Sequence, residues 1–168
     1  GANVILTGEN FDEAYASAIK FAKENNKEFV HPFADDEVIA GQGTIALEVL
    51  DSISDIEHLI VPIGGGGLIS GISIAAKTIN PNIKITGVVA SGARGMKDSF
   101  EARMPIDSSS VRTIADGIAV RDVTPKLLDI ILEYVDEVVE VSDNETANAI
   151  LFLLEKHKLM VEGAGAVG

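Results

Sequence analysis

The sequence predicts an α/β fold, a mostly parallel sheet with helices on both faces. Strand-like and helix-like segments alternate along the chain. Two strand-like runs, His58–Ile63 and Ile83–Val89, are largely apolar, as strands covered on both faces are. A run of glycines, Gly64–Gly67, separates the first of them from an apolar-periodic segment. A βαβ order implies right-handed crossovers, and ligands in such sheets gather at the carboxyl ends of the strands.

The elements follow in order. Val4–Leu6 reads as a short strand. Asn10 is placed to cap a helix from Phe11 to about Glu24, with Asp12 and Glu13 in its first turn and Asn25-Asn26 ending it. Phe29-Val30 opens an extended segment that His31-Pro32 prolongs. Asp35 or Asp36 caps a helix to about Leu50, with Gly41 and Gly43 inside it, which implies close packing. The strand Leu59–Ile63 and the helix Leu68–Ile79 flank the glycines. Asn80-Pro81-Asn82 makes a turn into the strand Ile83–Val89. A short helix opens near Gly92–Met96 and runs to about Ala102. Met104–Ala119 is mostly loop. Thr124-Pro125 starts a helix to about Tyr134, and Val138–Val141 is a strand. Ser142 to Glu145 has the spacing of a capping box before a helix to about Lys156.

The glycine loop is the most informative feature. A helix start presents N–H groups without intrahelical partners and the positive end of the dipole. Glycines let such a backbone approach an anion closely. A P-loop is excluded, because Ile72 stands where its lysine would follow Gly71. The dinucleotide fingerprint fails too: its third glycine would fall at Ile69 or Ser70, and Val88–Ser91 offers no carboxylate for a ribose. A small phosphate held by backbone amides remains. The competing explanations are a bare βα turn and a flexible linker.

Composition narrows the class. The chain has 168 residues, 46% hydrophobic, with a net charge of −13 and no cysteine. That length suffices for one sizeable core. The acidic balance argues against nucleic acid or an anionic membrane as partner. Without cysteine there is no disulfide framework or thiolate metal site, which fits a cytoplasmic protein. Both ends look like cut positions in a longer protein. His31, His58 and His157 lack ligand spacing. Asp35, Asp36 and Glu37 read as a charged helix start rather than a metal cluster. Glu162, beside Gly163-Ala-Gly, is either a buried acid needing a partner or an acid at a helix N-terminus.

Four motifs together carry a resemblance. Val38–Glu48, Val61–Leu68, Thr113–Gly117 and Glu162–Ala166 resemble the threonine dehydratase and serine racemase group, fold type II enzymes dependent on pyridoxal 5′-phosphate (PLP) and tryptophan synthase β-like in fold. The unbroken glycines favour the dehydratase branch over cysteine synthases, whose loop usually carries a threonine. The resemblance implies that Gly64, Gly65, Gly66, Gly67 and Leu68 bind the PLP phosphate through their amides and that Glu162 lies near the cofactor ring. It implies elimination of water from L-threonine, then hydrolysis of the resulting enamine to 2-oxobutanoate and ammonia, and the same for L-serine, giving pyruvate. It places residues 1–28 in the tail of a small domain and residues 29–168 in most of the large PLP-binding domain, incomplete at both ends.

No lysine here, from Lys20 to Lys158, stands in the Ser-x-Lys-x-Arg setting of the family's Schiff-base lysine. By resemblance that lysine lies upstream, no catalytic residue is in this segment, and the segment alone is expected to be inactive. Of the racemase branch's cation ligands only the Ala93 carbonyl has a counterpart; Val89 and Gly95 stand where carboxylates would be. No metal is therefore expected. A core lacking part of its cover should leave apolar surface exposed, so a homo-oligomer is expected. A small amino-acid substrate completes the expectation.

Overall fold

The computed structural model describes residues 1–8 and 11–168. Two compact units divide the chain, Gly1–His31 and Pro32–Gly168.

The first unit is built on helix α1, Phe11–Glu24. Its end follows from backbone chemistry. Asn26 takes a left-handed conformation at φ 50°, and Lys27 N–H donates back to Ala22 O at 2.8 Å, closing the last turn. Tyr15 meets Phe29 edge-on, with ring centroids 5.4 Å apart. The cap expected at Asn10 lies outside the described residues. The strand expected at Val4–Leu6 does not form: residues 1–8 have no regular structure, and Leu6 is 92% exposed. A strand exists by pairing, and among the described residues no strand lies beside these three. Phe29–His31 likewise joins no ladder.

The second unit holds α2 (Asp36–Ser52), β1 (His58–Pro62), α3 (Gly67–Ile79), β2 (Lys84–Ala90), α4 (Gly95–Ala102), α5 (Pro125–Tyr134), β3 (Glu137–Val141), α6 (Asp143–Phe152) and α7 (Gly163–Ala166). The strands form one parallel sheet in the order β1-β2-β3. Its register pairs Ile60 with Thr86 and Val88 with Val139. The alternation of side chains sorts the strands into two faces. On one face Val61, Ile85, Val89 and Val138 pack with Ile69 and Ile72 of α3 and Leu128 and Ile131 of α5. On the other, Val88 and Ala90 pack with Ala115, Ile118 and residues of α7. That face continues into Ile60 and Val139, which are 49% and 38% exposed. Leu151, Phe152 and Met160 are also exposed, so apolar surface is left open as expected.

Local chemistry explains the boundaries. Asp35 caps α2 by accepting from Glu37 N–H at 2.9 Å. Ser142 and Glu145 complete a reciprocal capping box on α6. The helix then passes into a π-helical turn, Leu153–His157, which Lys158 ends at φ 59°. Thr124 occupies the cap position of α5, but its side chain makes no capping bond. Pro125 supplies the start instead, with φ already set for a helix. Asx geometry at Asn80, whose Oδ1 accepts from Asn82 N–H, turns the chain into β2.

One carboxylate ties the sheet to α3. Asp136 Oδ2 accepts from Lys77 Nζ at 2.8 Å and from Ile85 N–H at 2.7 Å. Burial opposes its ionisation, but Lys77 and the Ile85 amide outweigh it and hold the carboxyl below the ordinary aspartate range. A depressed folded-state value adds stability above the unfolded value, and that stability disappears as pH falls through the folded one. Asp136→Asn should therefore cost about 1 kcal/mol at neutral pH, the half-exposed pair being screened by solvent. Urea titrations should show the two proteins converging as pH falls below the ordinary aspartate range.

Candidate cofactor site

Ile63 leaves the sheet with its N–H donating to Val88 O at 2.8 Å. The glycine loop follows at the carboxyl end of β1 and runs directly into α3, which begins at Gly67. Gly66 stands at φ 100°, a conformation open to glycine at little cost. The first hydrogen bond of the helix is Ser70 N–H to Gly66 O at 3.0 Å. Every N–H from Gly64 to Ile69 donates to no acceptor among the described residues. Gly65, Gly66 and Gly67 are buried. Buried N–H groups are almost always paired, so a run of unpaired donors is a strong demand for an acceptor. An anion answers that demand, with the dipole of the thirteen-residue α3 in support.

The flexible-linker explanation is thereby excluded. The bare-turn explanation meets a subtler result. Each glycine is also required by the protein around it. A Cβ on Gly64 would lie 3.0 Å from Ile118 Cα. On Gly65 it would lie 2.4 Å from the Phe33 ring, and on Gly67 2.5 Å from Phe33 O. The glycines thus allow close packing on one side of the loop, while the loop's amides remain without partners.

The other motifs converge here. Asp116–Ile118 forms a 3-10 turn whose Ile118 touches Gly64. A Cβ on Gly117 would come within 3.3 Å of Glu162 Oε1. Gly163 packs against Ile114 O and Ala115, which seats α7 on the same loop. Glu162 is the residue before α7, with extended backbone and no capping hydrogen bond. It is exposed, so the helix-terminus position is right and the buried-acid alternative is not. Val38–Glu48 belongs to α2, where Gly43 meets the Gly71 carbonyl of α3; its Cβ would lie 3.1 Å from that oxygen. That motif shapes the scaffold under the loop.

Phe33 is the residue that the sequence did not single out. One phenylalanine in a Pro-containing turn looks like any core aromatic, and its contact with the glycines spans about thirty residues. Of the acidic start of α2, Asp35 is a cap and Asp36 pairs with Lys126 at 2.6 Å. His58 bonds Thr86, and His157 packs on Phe152. No group of acidic, histidine or cysteine side chains suited to a metal occurs among the described residues. At Gly95 a Cβ would sit 2.9 Å from Ser108 Oγ, leaving no ready room for a carboxylate. No helix among the described residues is long and apolar enough to cross a membrane.

A strand, an amide-rich glycine loop and two neighbouring turns thus form one corner that offers unpaired N–H donors. A family model described as pyridoxal-phosphate dependent enzyme matches residues 1–168. The chain belongs to the pyridoxal-phosphate dependent enzyme family. It is 48% identical over 168 residues to the L-threonine ammonia-lyase of Thermotoga maritima, covering 100% of this chain and 42% of that protein. The fold matches threonine deaminase isoform 2 from Solanum lycopersicum with a TM-score of 0.92 at 36% identity, covering 97% of this chain and 48% of that one. It matches maize serine racemase with a TM-score of 0.95 at 34% identity, covering 100% of this chain and 51% of that one. The chain therefore spans about half the length of the proteins it resembles. The expected α/β fold, the enzyme family and its cofactor all stand. The residues present fit that cofactor, because its phosphate needs the donors that the loop leaves unpaired.

Proposed function

We propose that the protein containing this chain deaminates L-threonine: the β-hydroxyl leaves as water, one water returns on hydrolysis of the resulting enamine, and the products are 2-oxobutanoate and ammonia, with L-serine giving pyruvate and ammonia in the same way. The carrying observation is the run of unpaired amides from Gly64 to Ile69. The likeness to L-threonine ammonia-lyases supports the substrate. PLP, when bound, supplies the electron sink for a deprotonated α-carbon. The amides of Gly64, Gly65, Gly66, Gly67 and Leu68 would hold its phosphate, and the α3 dipole would favour the negative charge there. Glu162, whose carboxylate lies beside the Gly117 turn, would stand near the ring and orient the bound cofactor.

The break in compactness after His31 supports reading the first unit as the tail of a small domain and the rest as most of a large one. Exposed Ile60, Phe152 and Met160 support a homo-oligomer. A small amino-acid substrate and a cytoplasmic location belong to the same reading. A second reading, serine racemization, draws on the TM-score of 0.95 with maize serine racemase.

The test is a substrate assay on the full-length protein with PLP. 2-Oxobutanoate from L-threonine is expected, and residues 1–168 alone should form none. D-Serine from L-serine without oxoacid from threonine would establish the second reading. Neither product, with no PLP bound, would overturn both.

A further inference from the structure

We propose that Phe33 is the positioning residue of the glycine loop and sets its affinity for the cofactor phosphate. The inference rests on reading the loop as a phosphate cradle, and goes beyond it by naming what holds the cradle in shape.

Phe33 meets the loop with both halves of its structure. Its ring lies against Gly65, where Cδ2, Cε2 and Cγ would be 2.4, 2.5 and 2.6 Å from an added Cβ. Its backbone lies against Gly67, where the carbonyl oxygen would be 2.5 Å away and Cα 3.0 Å away. No N–H from Gly64 to Ile69 finds an acceptor among the described residues, and Gly66 O is tied by Ser70 N–H, so packing fixes much of the loop's shape. Gly66, between the two contacts, carries the positive φ that aims the neighbouring amides. Glycines have the largest conformational freedom to lose, and a wedge that removes it in advance lowers the entropy cost of binding.

The wedge is itself fixed. Phe33 lies in the turn that leads to the Asp35 cap of α2. Lys126, in the first turn of α5, donates to Ala34 O at 3.2 Å and pairs with Asp36 at 2.6 Å, clamping that turn from the far side. The ring therefore presses on the loop from a held position. Phosphate binding does not require contact with Phe33. It requires the amides to be already in place.

This changes how a glycine substitution is interpreted. Gly65→Ala would lose affinity whether its methyl met the phosphate or the ring. The two causes separate in a double-mutant cycle, since only residues in contact couple. The full-length protein and its Phe33→Ala, Phe33→Leu, Gly65→Ala and doubly substituted forms are titrated with PLP, followed by absorbance, with thermal unfolding as a fold control. Phe33→Ala should weaken binding about tenfold or more, and Phe33→Leu by less. Gly65→Ala should weaken binding by at least as much alone, yet by less than about threefold when added to Phe33→Ala. Unchanged affinity in both Phe33 variants would overturn the proposal, as would a Gly65→Ala loss equal in every background. If Phe33→Ala does not fold, the Phe33→Leu background gives the same comparison with a smaller expected relief. Failure of the unsubstituted protein to bind PLP would instead overturn the cradle reading itself.

Discussion

Gly71→Ala is expected to destabilise the fold by about 3 kcal/mol or more, the upper range for overpacking a well-filled core. The reason lies at the crossing of α2 and α3. A Cβ on Gly71 would stand 2.2 Å from Ile39 O, 2.6 Å from Gly43 N and 2.9 Å from Gln42 Cβ. Two of these are backbone atoms inside a helix, which cannot swing aside as a side-chain tip can. The helices must separate, and the packing around Ala46 and Ile72 goes with them. Gly43 faces the same crossing from α2, with its Cβ position 3.1 Å from Gly71 O. Gly41, two residues earlier, is the control. Nothing lies within 4 Å of its Cβ position, and it is exposed. There helix propensity rules, and Gly41→Ala should stabilise by about 0.5–1 kcal/mol. Urea denaturation of the pair would read opposite signs. A Gly71→Ala protein within about 0.5 kcal/mol of the parent would refute the close crossing.

That contrast shows how much a sequence can carry. Gly41 and Gly43 look alike in the chain, and close packing was expected of both; it holds at Gly43 alone. The strand β2 was legible because its sequence alternates and then turns wholly apolar, as a covered strand does, and it is buried along nearly its whole length. The capping box was legible because its two bonds are local. Val4–Leu6 had strand composition, yet pairing is a non-local requirement and is unmet among the described residues. Thr124 had the right type at the right place, but Pro125 made its side-chain bond dispensable.

The site shows the same division. The glycine loop announced itself, because spare glycines are costly and visible. What fills the space they leave was hidden. Phe33 and Ile118 reach Gly64–Gly67 from distant parts of the chain, and nothing in either residue's neighbourhood marks it. The loop's unpaired amides could be suspected from a strand-to-helix junction. That all of them stay unpaired is a fact of the fold.

Glu162→Gln should lower turnover of the full-length protein about a hundredfold or more while leaving its stability within about 0.5 kcal/mol. The asymmetry follows from what Glu162 does not do in the fold. It is exposed, and it forms no capping bond at the start of α7. The glycines around it provide the seating: Gly163 fits under Ile114 O, and Gly117 leaves room for the carboxylate at 3.3 Å. Glutamine keeps the shape and removes the charge, so α7 should stay in place. A residue with no capping task, set beside the Gly117 turn that meets the glycine loop, is placed to act on what the loop would bind. A carboxylate would be a poor neighbour for a phosphate at contact distance, because like charges repel. It would become a useful one if the loop amides held the phosphate and the carboxylate acted on the ring instead. The substitution should thus reduce kcat far more than it weakens PLP binding, because the phosphate contacts are untouched. Loss of stability with no selective effect on kcat would make Glu162 a packing residue. Full activity with normal stability would place the ring elsewhere and remove Glu162 from the site.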